Sequence, residues 1–344
     1  MKPHELLDPA FHSFLTCDAE AWSLLTLPGI RKRVHAGFKS AEQARCQSAW
    51  AKSHDGEDLR LCLYQPEVAK QGKTCPVILY IHGGGFVLGR PEMADEYLAG
   101  LAEELGTIIV AVDYRLAPEH PFPVPLEDCY AALGWIFANQ QALDINIGKL
   151  VVMGHSAGGG LAAALAIVAR DRGEYPIARQ VLIYPMLDYR SGSAHSPHEN
   201  STTGVIGWSP QANQFCWQSL RGTYALDDER IGWFSPALQT DLSDLPPTFL
   251  SVGALDLFLE EDIAFATRLS RSGVAVEFHV YPGAPHMFDQ HPGSITDQCA
   301  MDIVRSLRRS IGSALTDCCP KDAPQSRESR QIRFLYNARL DSCS

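Results

Sequence analysis

The 344-residue chain predicts an α/β fold: a mostly parallel, doubly wound sheet with helices on both faces and a smaller inserted or appended cap. Two observations on its patterning carry this. Short runs rich in Val, Ile and Leu alternate with helical patterns, the order that builds parallel sheets covered on both sides. These runs are apolar throughout rather than every second residue, as befits strands buried on two faces. Composition agrees: 46% hydrophobic and 20% charged residues suit a large core and exclude global disorder. At this length one main domain with a cap is the economical arrangement.

Along the chain, residues 1–54 read as helical, with segments at 19–25 and 40–50 separated by Pro28-Gly29. At 59–64 the pattern changes to period two, and Pro76 introduces a buried strand at 77–81. A helix follows at 92–105, stopped by Gly106, then a β-branched strand at 107–112. Helix 127–139, strand 150–153 and helix 161–170 come next, then strands at 180–184 and 248–252. Helix 260–272, strand 276–281 and helix 297–310 close the series, so the main domain is 55–186 plus 237–312. Between 187 and 236 the alternation breaks into Ser, Gly, His and aromatics, as for an insertion above the sheet. The tail, 313–344, mixes charges with Cys, Ser and Gln and is expected to be poorly ordered.

The net charge of −11 without a dense Lys/Arg cluster argues against a nucleic-acid partner. Residues 1–15 include His4, Glu5, Asp8 and His12 and form no signal-peptide core, and no run reaches 18 apolar residues, so no membrane partner is expected. The ten cysteines, such as Cys62 and Cys75 beside strands and Cys129 in a helix, lack metal-type spacing. Reduced thiols in a cytoplasmic protein without a metal are expected, and Cys318-Cys319 belongs to the tail.

Gly154-His155-Ser156-Ala157-Gly158 lies between strand 150–153 and a helix in which Leu161, Leu165 and Val168 recur at helical spacing. A serine between glycines on a sharp strand-to-helix turn holds its hydroxyl exposed as a nucleophile. The string alone recurs by chance in roughly one chain in ten of this length. Its meaning therefore depends on partners. A serine nucleophile needs donors for an oxyanion, a base for its proton and an acid to orient the base.

His82-Gly83-Gly84-Gly85 directly follows strand 77–81, where glycines let backbone N–H groups turn toward a ligand. The Ala157 N–H, at the start of the next helix, is a further donor. No Gly-Lys-Ser/Thr follows, which disfavours a phosphate loop. Among the downstream histidines His195, His198, His279, His286 and His291, His286 follows a strand on a loop at its carboxyl end, where sites in α/β sheets assemble. His279 lies inside a strand instead. Asp256 occupies another such loop, whereas Glu260, Glu261 and Asp262 suit the first turn of a helix and Asp244 precedes its strand.

Together, His82-Gly83-Gly84-Gly85, the run Asp113-Tyr114-Arg115-Leu116-Ala117-Pro118-Glu119-His120-Pro121-Phe122-Pro123, the Ser156 elbow with Ala157-Gly158-Gly159, Asp256, and Pro285-His286-Met287-Phe288-Asp289 resemble the hormone-sensitive-lipase family of esterases in its bacterial branch. The resemblance spans roughly 55–312 in five ordered motifs. It implies an α/β-hydrolase fold, a helical cap from 1–54 plus 187–236, a triad of Ser156, Asp256 and His286, and oxyanion donors at Gly84, Gly85 and Ala157. It also implies a carboxylesterase acting on small-molecule esters of short to medium acyl chain, needing no cofactor, with a homodimer as a conceivable partner state. Arg115 and Glu119 are then expected in structural ion pairs. Phe86, Trp208, Phe215 and Trp217 either line an acyl or alcohol pocket or form the cap's own core. The family usually carries Asp where this chain has His155, and a His-Ser-Ala-Gly elbow also occurs in related kynurenine formamidases. An amidase, formamidase or thioesterase on the same triad is the alternative. A silent ligand-binding relative is disfavoured because His286 is present.

Overall fold

The computed structural model describes residues 2–16, 21–38 and 41–312. Its centre is one eight-stranded sheet ordered β1-β2-β4-β3-β5-β6-β7-β8. The strands are β1 Gln47–Lys52, β2 Asp58–Tyr64, β3 Cys75–Ile81, β4 Ile108–Val112, β5 Ile145–His155, β6 Arg179–Ile183, β7 Thr248–Gly253 and β8 Val276–Tyr281. From β4 to β8 every pairing is parallel, and β1 and β2 add an antiparallel edge.

The longer helices are α1 Leu27–Ala36, α2 Asp95–Leu105, α3 Val124–Ala138, α4 Ala157–Arg172, α5 Pro210–Arg221, α6 Leu259–Arg271 and α7 Ser294–Ile311. Because side chains alternate along a strand, Val77, Leu79 and Ile81 face one core with α3, α4 and α6, while Ile78 and Tyr80 face another with α2 and α7. Both faces of the central strands are thus dry, which is why they read as continuous apolar runs. None of the helices among the described residues is long and apolar enough to cross a membrane.

The beginning of the chain departs from expectation. Instead of a helix at 40–50, Gln47–Lys52 forms β1, paired antiparallel from Gln47↔Leu63 to Lys52↔Asp58, so the sheet starts inside the stretch assigned to the N-terminal helical segment. Asp55-Gly56 makes the connecting turn, with Gly56 at φ 85° and Ser53 N–H donating to the Glu57 carbonyl at 2.9 Å. Pro28-Gly29 does not separate helices either. Pro28 sits in the first turn of α1, where its missing N–H costs nothing. The described part of the expected helix at 19–25 is turn and bend. The tail at 313–344 lies outside the described residues.

Candidate active site

The apolar strand β5 runs straight into α4, and the turn between them carries Ser156 at φ 55°, ψ −121°. Such a backbone is unfavourable for a residue with a Cβ and persists where surroundings hold it. Here the Ser156 N–H donates to the Ile183 carbonyl at 2.9 Å, and its own carbonyl accepts from Gly160 and Met186, each at 3.0 Å. The flanking glycines are steric necessities: a Cβ on Gly158 would fall 2.2 Å from the Ile81 carbonyl oxygen, and one on Gly154 equally close to that of Gly158.

Two parallel strands further on, the loops after β7 and β8 bring the partners. His286 Nε2 lies 2.9 Å from Ser156 Oγ, and His286 Nδ1 lies 2.7 Å from Asp256 Oδ2. The second Asp256 oxygen accepts the Phe258 N–H at 3.0 Å, so both oxygens are fixed. Asp256 is fully buried, His286 nearly so, and Ser156 retains slight exposure. Tyr184 and Phe258 meet the imidazole edge-on at 4.8 and 5.0 Å, fixing its plane.

The glycine loop after β3 closes over the serine. Gly84 and Gly85 have φ of 120° and 60°, followed by Phe86 at 65°. Among the described residues, the N–H groups of Gly84, Gly85 and Ala157 donate to no protein acceptor. They are available to an oxyanion, and Ala157 opens α4, where the helix dipole favours negative charge. His82 is buried beneath the loop, and burial lowers its pKa to about 4, so it stays neutral. Tyr114 stacks on its ring at 4.2 Å and donates to its carbonyl.

The aromatic candidates separate into three positions. Trp208 stands 5.9 Å from the His286 ring and close over Gly85. Phe86 and Trp217 pack together at 5.1 Å and help line an apolar cavity of about 10 Å³ with Gly160, Leu161, Met186 and Phe234. Phe215 packs on Trp22 at 6.2 Å. Arg115 pairs with Asp55 and buried Asp128, and Glu119 with Arg31. His279 lies against Glu277 in β8, and His291 packs on Phe14, both away from the serine.

Several neighbours had no motif to announce them. Arg31 of α1 donates to the carbonyls of Val87 and Ala117 at 2.6 and 2.8 Å, tying the N-terminal helix to the glycine loop. Trp22 packs on Trp208 at 5.4 Å, and Cys216 lies where a Cβ on Gly85 would fall 2.5 Å from its sulfur. Asp8 N–H donates to the Gly283 carbonyl, placing the N-terminal segment on the loop that leads to His286.

A family model described as the alpha/beta hydrolase fold matches residues 78–290. "Esterase LipI" of Mycobacterium tuberculosis is 35% identical over 217 residues, covering 63% of this chain and 67% of that protein. "Ethyl acetate hydrolase" of Pseudomonas putida is 32% identical over 263 residues, 75% and 81% of the two chains. Among solved structures, "Bacterial Heroin Esterase" superposes with a TM-score of 0.80 at 33% identity, covering 89% of this chain and 98% of its own. Fold, elbow, glycine loop and relatives agree: the chain belongs to the α/β-hydrolase-fold family, among the hormone-sensitive-lipase-type carboxylesterases.

Proposed function

We propose that the protein is a serine carboxylesterase that cleaves small esters of short acyl chain by acyl transfer through Ser156. The observation that carries this is the continuous hydrogen-bonded chain Ser156–His286–Asp256 facing three unengaged backbone donors. His286 Nε2 takes the hydroxyl proton as Ser156 Oγ attacks the ester carbonyl. Asp256 holds the Nδ1–H tautomer and stabilises the imidazolium. The oxyanion falls to Gly84, Gly85 and Ala157, each donor worth roughly 3 kcal/mol in comparable sites. His286 then protonates the departing alcohol, and a water that it activates releases the acid.

The short acyl preference is supported by the cavity beside the elbow. Phe86, Trp217 and Phe234 narrow it to about 10 Å³, room for about one water molecule. The relative named for ethyl acetate agrees with an acetyl-sized acyl group. The position of Trp208 over Gly85 and beside His286 supports a contact with the substrate there, and on this reading residues 187–236 with the N-terminal segment are the cap.

The test is turnover of p-nitrophenyl acetate through decanoate, alongside an N-formyl anilide, by wild type and Ser156→Ala. Hydrolysis that falls with chain length and vanishes in Ser156→Ala is expected. Unchanged ester turnover in Ser156→Ala would remove Ser156 as nucleophile, and dominant formanilide cleavage would replace the esterase reading with an amidase.

A further inference from the structure

Next to the triad lies a second imidazole–carboxylate pair that ester hydrolysis as outlined does not use. His155 ends β5, one residue before the nucleophile, and its Nε2 stands 3.5 Å from Asp289 Oδ2. Asp289 sits on the short turn Phe288–Gln290, three residues beyond His286. Its other oxygen accepts the Tyr184 hydroxyl at 2.7 Å. The Tyr184 ring stands between the two histidines, edge-on to His286 at 4.8 Å and to His155 at 5.7 Å. His155 Nδ1 lies 3.2 Å from the Tyr80 hydroxyl. All of these side chains are buried.

We propose that Asp289 is a positioning residue for His286, which anchors the His286 loop beside His155, so that the charge of its carboxyl acts on the imidazolium that His286 becomes during catalysis. The proposal rests on the esterase reading of the triad. Its mechanical half follows from the backbone: Met287, between His286 and Asp289, holds φ 61°, a conformation that a side-chain-bearing residue keeps only when its neighbours impose it. Asp289, gripped by Tyr184 on one side and facing His155 on the other, supplies that constraint.

Its electrostatic half follows from the dryness of the site. A buried pair avoids the cost of isolated charge while the carboxyl keeps its proton and the imidazole stays neutral, and at 3.5 Å the two groups face one another at more than regular hydrogen-bond distance. Burial raises the Asp289 carboxyl to about 7, against the pull of the Tyr184 hydroxyl and of His286, while burial and then His286 lower His155 to about 3. The other titratable groups facing Asp289 are Tyr97 of α2 and Cys299 of α7, with Asp256 beyond His286. Burial lifts Tyr97 and Cys299 well above their ordinary range, so both stay neutral. Asp289 is thus the member of the cluster that gains charge near neutrality. A carboxylate there stabilises the imidazolium that forms as His286 takes the Ser156 proton.

The test is the pH dependence, from about 5 to about 9, of Ser156 labelling by an organophosphonate ester, read by mass spectrometry, together with kcat and KM for p-nitrophenyl acetate. Wild type is expected to show two interacting ionisations. In Asp289→Asn the ionisation near neutrality that belongs to the carboxyl is lost and a single ionisation remains, with kcat several-fold lower and KM unchanged. Tyr184→Phe keeps the ring against His286 but removes the donor to Asp289, so the second ionisation moves to higher pH. This variant also decides the matter if Asp289→Asn does not fold. Profiles that superimpose on wild type after scaling overturn the proposal while leaving the triad intact. Absence of Ser156 labelling in wild type overturns the esterase reading, and the proposal with it.

Discussion

At the scale of single residues, the site is tuned by which atom faces which. Asp256 Oδ1 is committed to the Phe258 N–H and Oδ2 to His286, so Asp256→Asn keeps its carbonyl on Phe258 and turns its NH₂ toward His286 Nδ1. That forces the proton onto Nε2, which can then no longer accept from Ser156. A fall in kcat of about 10⁴-fold with an unchanged circular-dichroism spectrum is expected. Ser156, His286 and Asp256 were legible in the sequence because each follows a strand that ends in a recognisable break. Arg31, Trp22 and Cys216 were not, because their roles arise from contacts with residues distant in sequence. Asp289 lies within the motif around His286, yet the approach of its carboxyl to His155 depends on the parallel placement of β5 and β6 and on the return of the loop after β8.

At the scale of elements, strands were readable where burial on both faces leaves a β-branched, apolar run. β1 failed that criterion: Gln47-Ser48-Ala49-Trp50-Ala51-Lys52 has no such run, since it lies at an edge with Trp50 and Lys52 largely exposed. The insertion was readable as a departure from alternation, but α5 within it was not singled out. This helix is capped by Ser209, whose Oγ accepts the Ala212 N–H, and it presents Cys216 and Trp217 toward the glycine loop. The indole N–H of Trp217 has no acceptor among the described residues, so packing alone holds the ring. Trp217→Ala is therefore expected to cost about 3–5 kcal/mol and to enlarge the cavity beside the elbow. The p-nitrophenyl series should register this as a rise in kcat/KM for octanoate relative to acetate, and chemical denaturation should register the lost stability.

At the scale of the whole molecule, buried ion pairs join elements that the sheet alone would not fix. Asp128 of α3, with no exposed surface, accepts from the Arg115 backbone and guanidinium and from Ser53 beside the β1–β2 turn, while Arg115 reaches on to Asp55. Arg115→Ala strands a buried carboxylate and should cost about 3–5 kcal/mol. Removing Lys52 from its exposed pair with Asp58 should change the thermal midpoint far less. Calorimetry on the two variants makes the comparison, and Arg115→Ala should retain the wild-type acyl preference at temperatures where it is folded.

The order of the sheet also bears on how the enzyme comes into being. β5, β6, β7 and β8 lie side by side in the order in which a ribosome delivers them. Each emerging strand therefore meets a completed edge to pair with, as suits folding that proceeds from the N-terminal side during translation. Of the proposed triad, Ser156 arrives with β5, Asp256 after β7 and His286 only after β8. On the proposed triad, a nascent chain paused before β8 already displays its elbow but lacks His286, so hydrolysis through Ser156 is expected only once the sheet is complete.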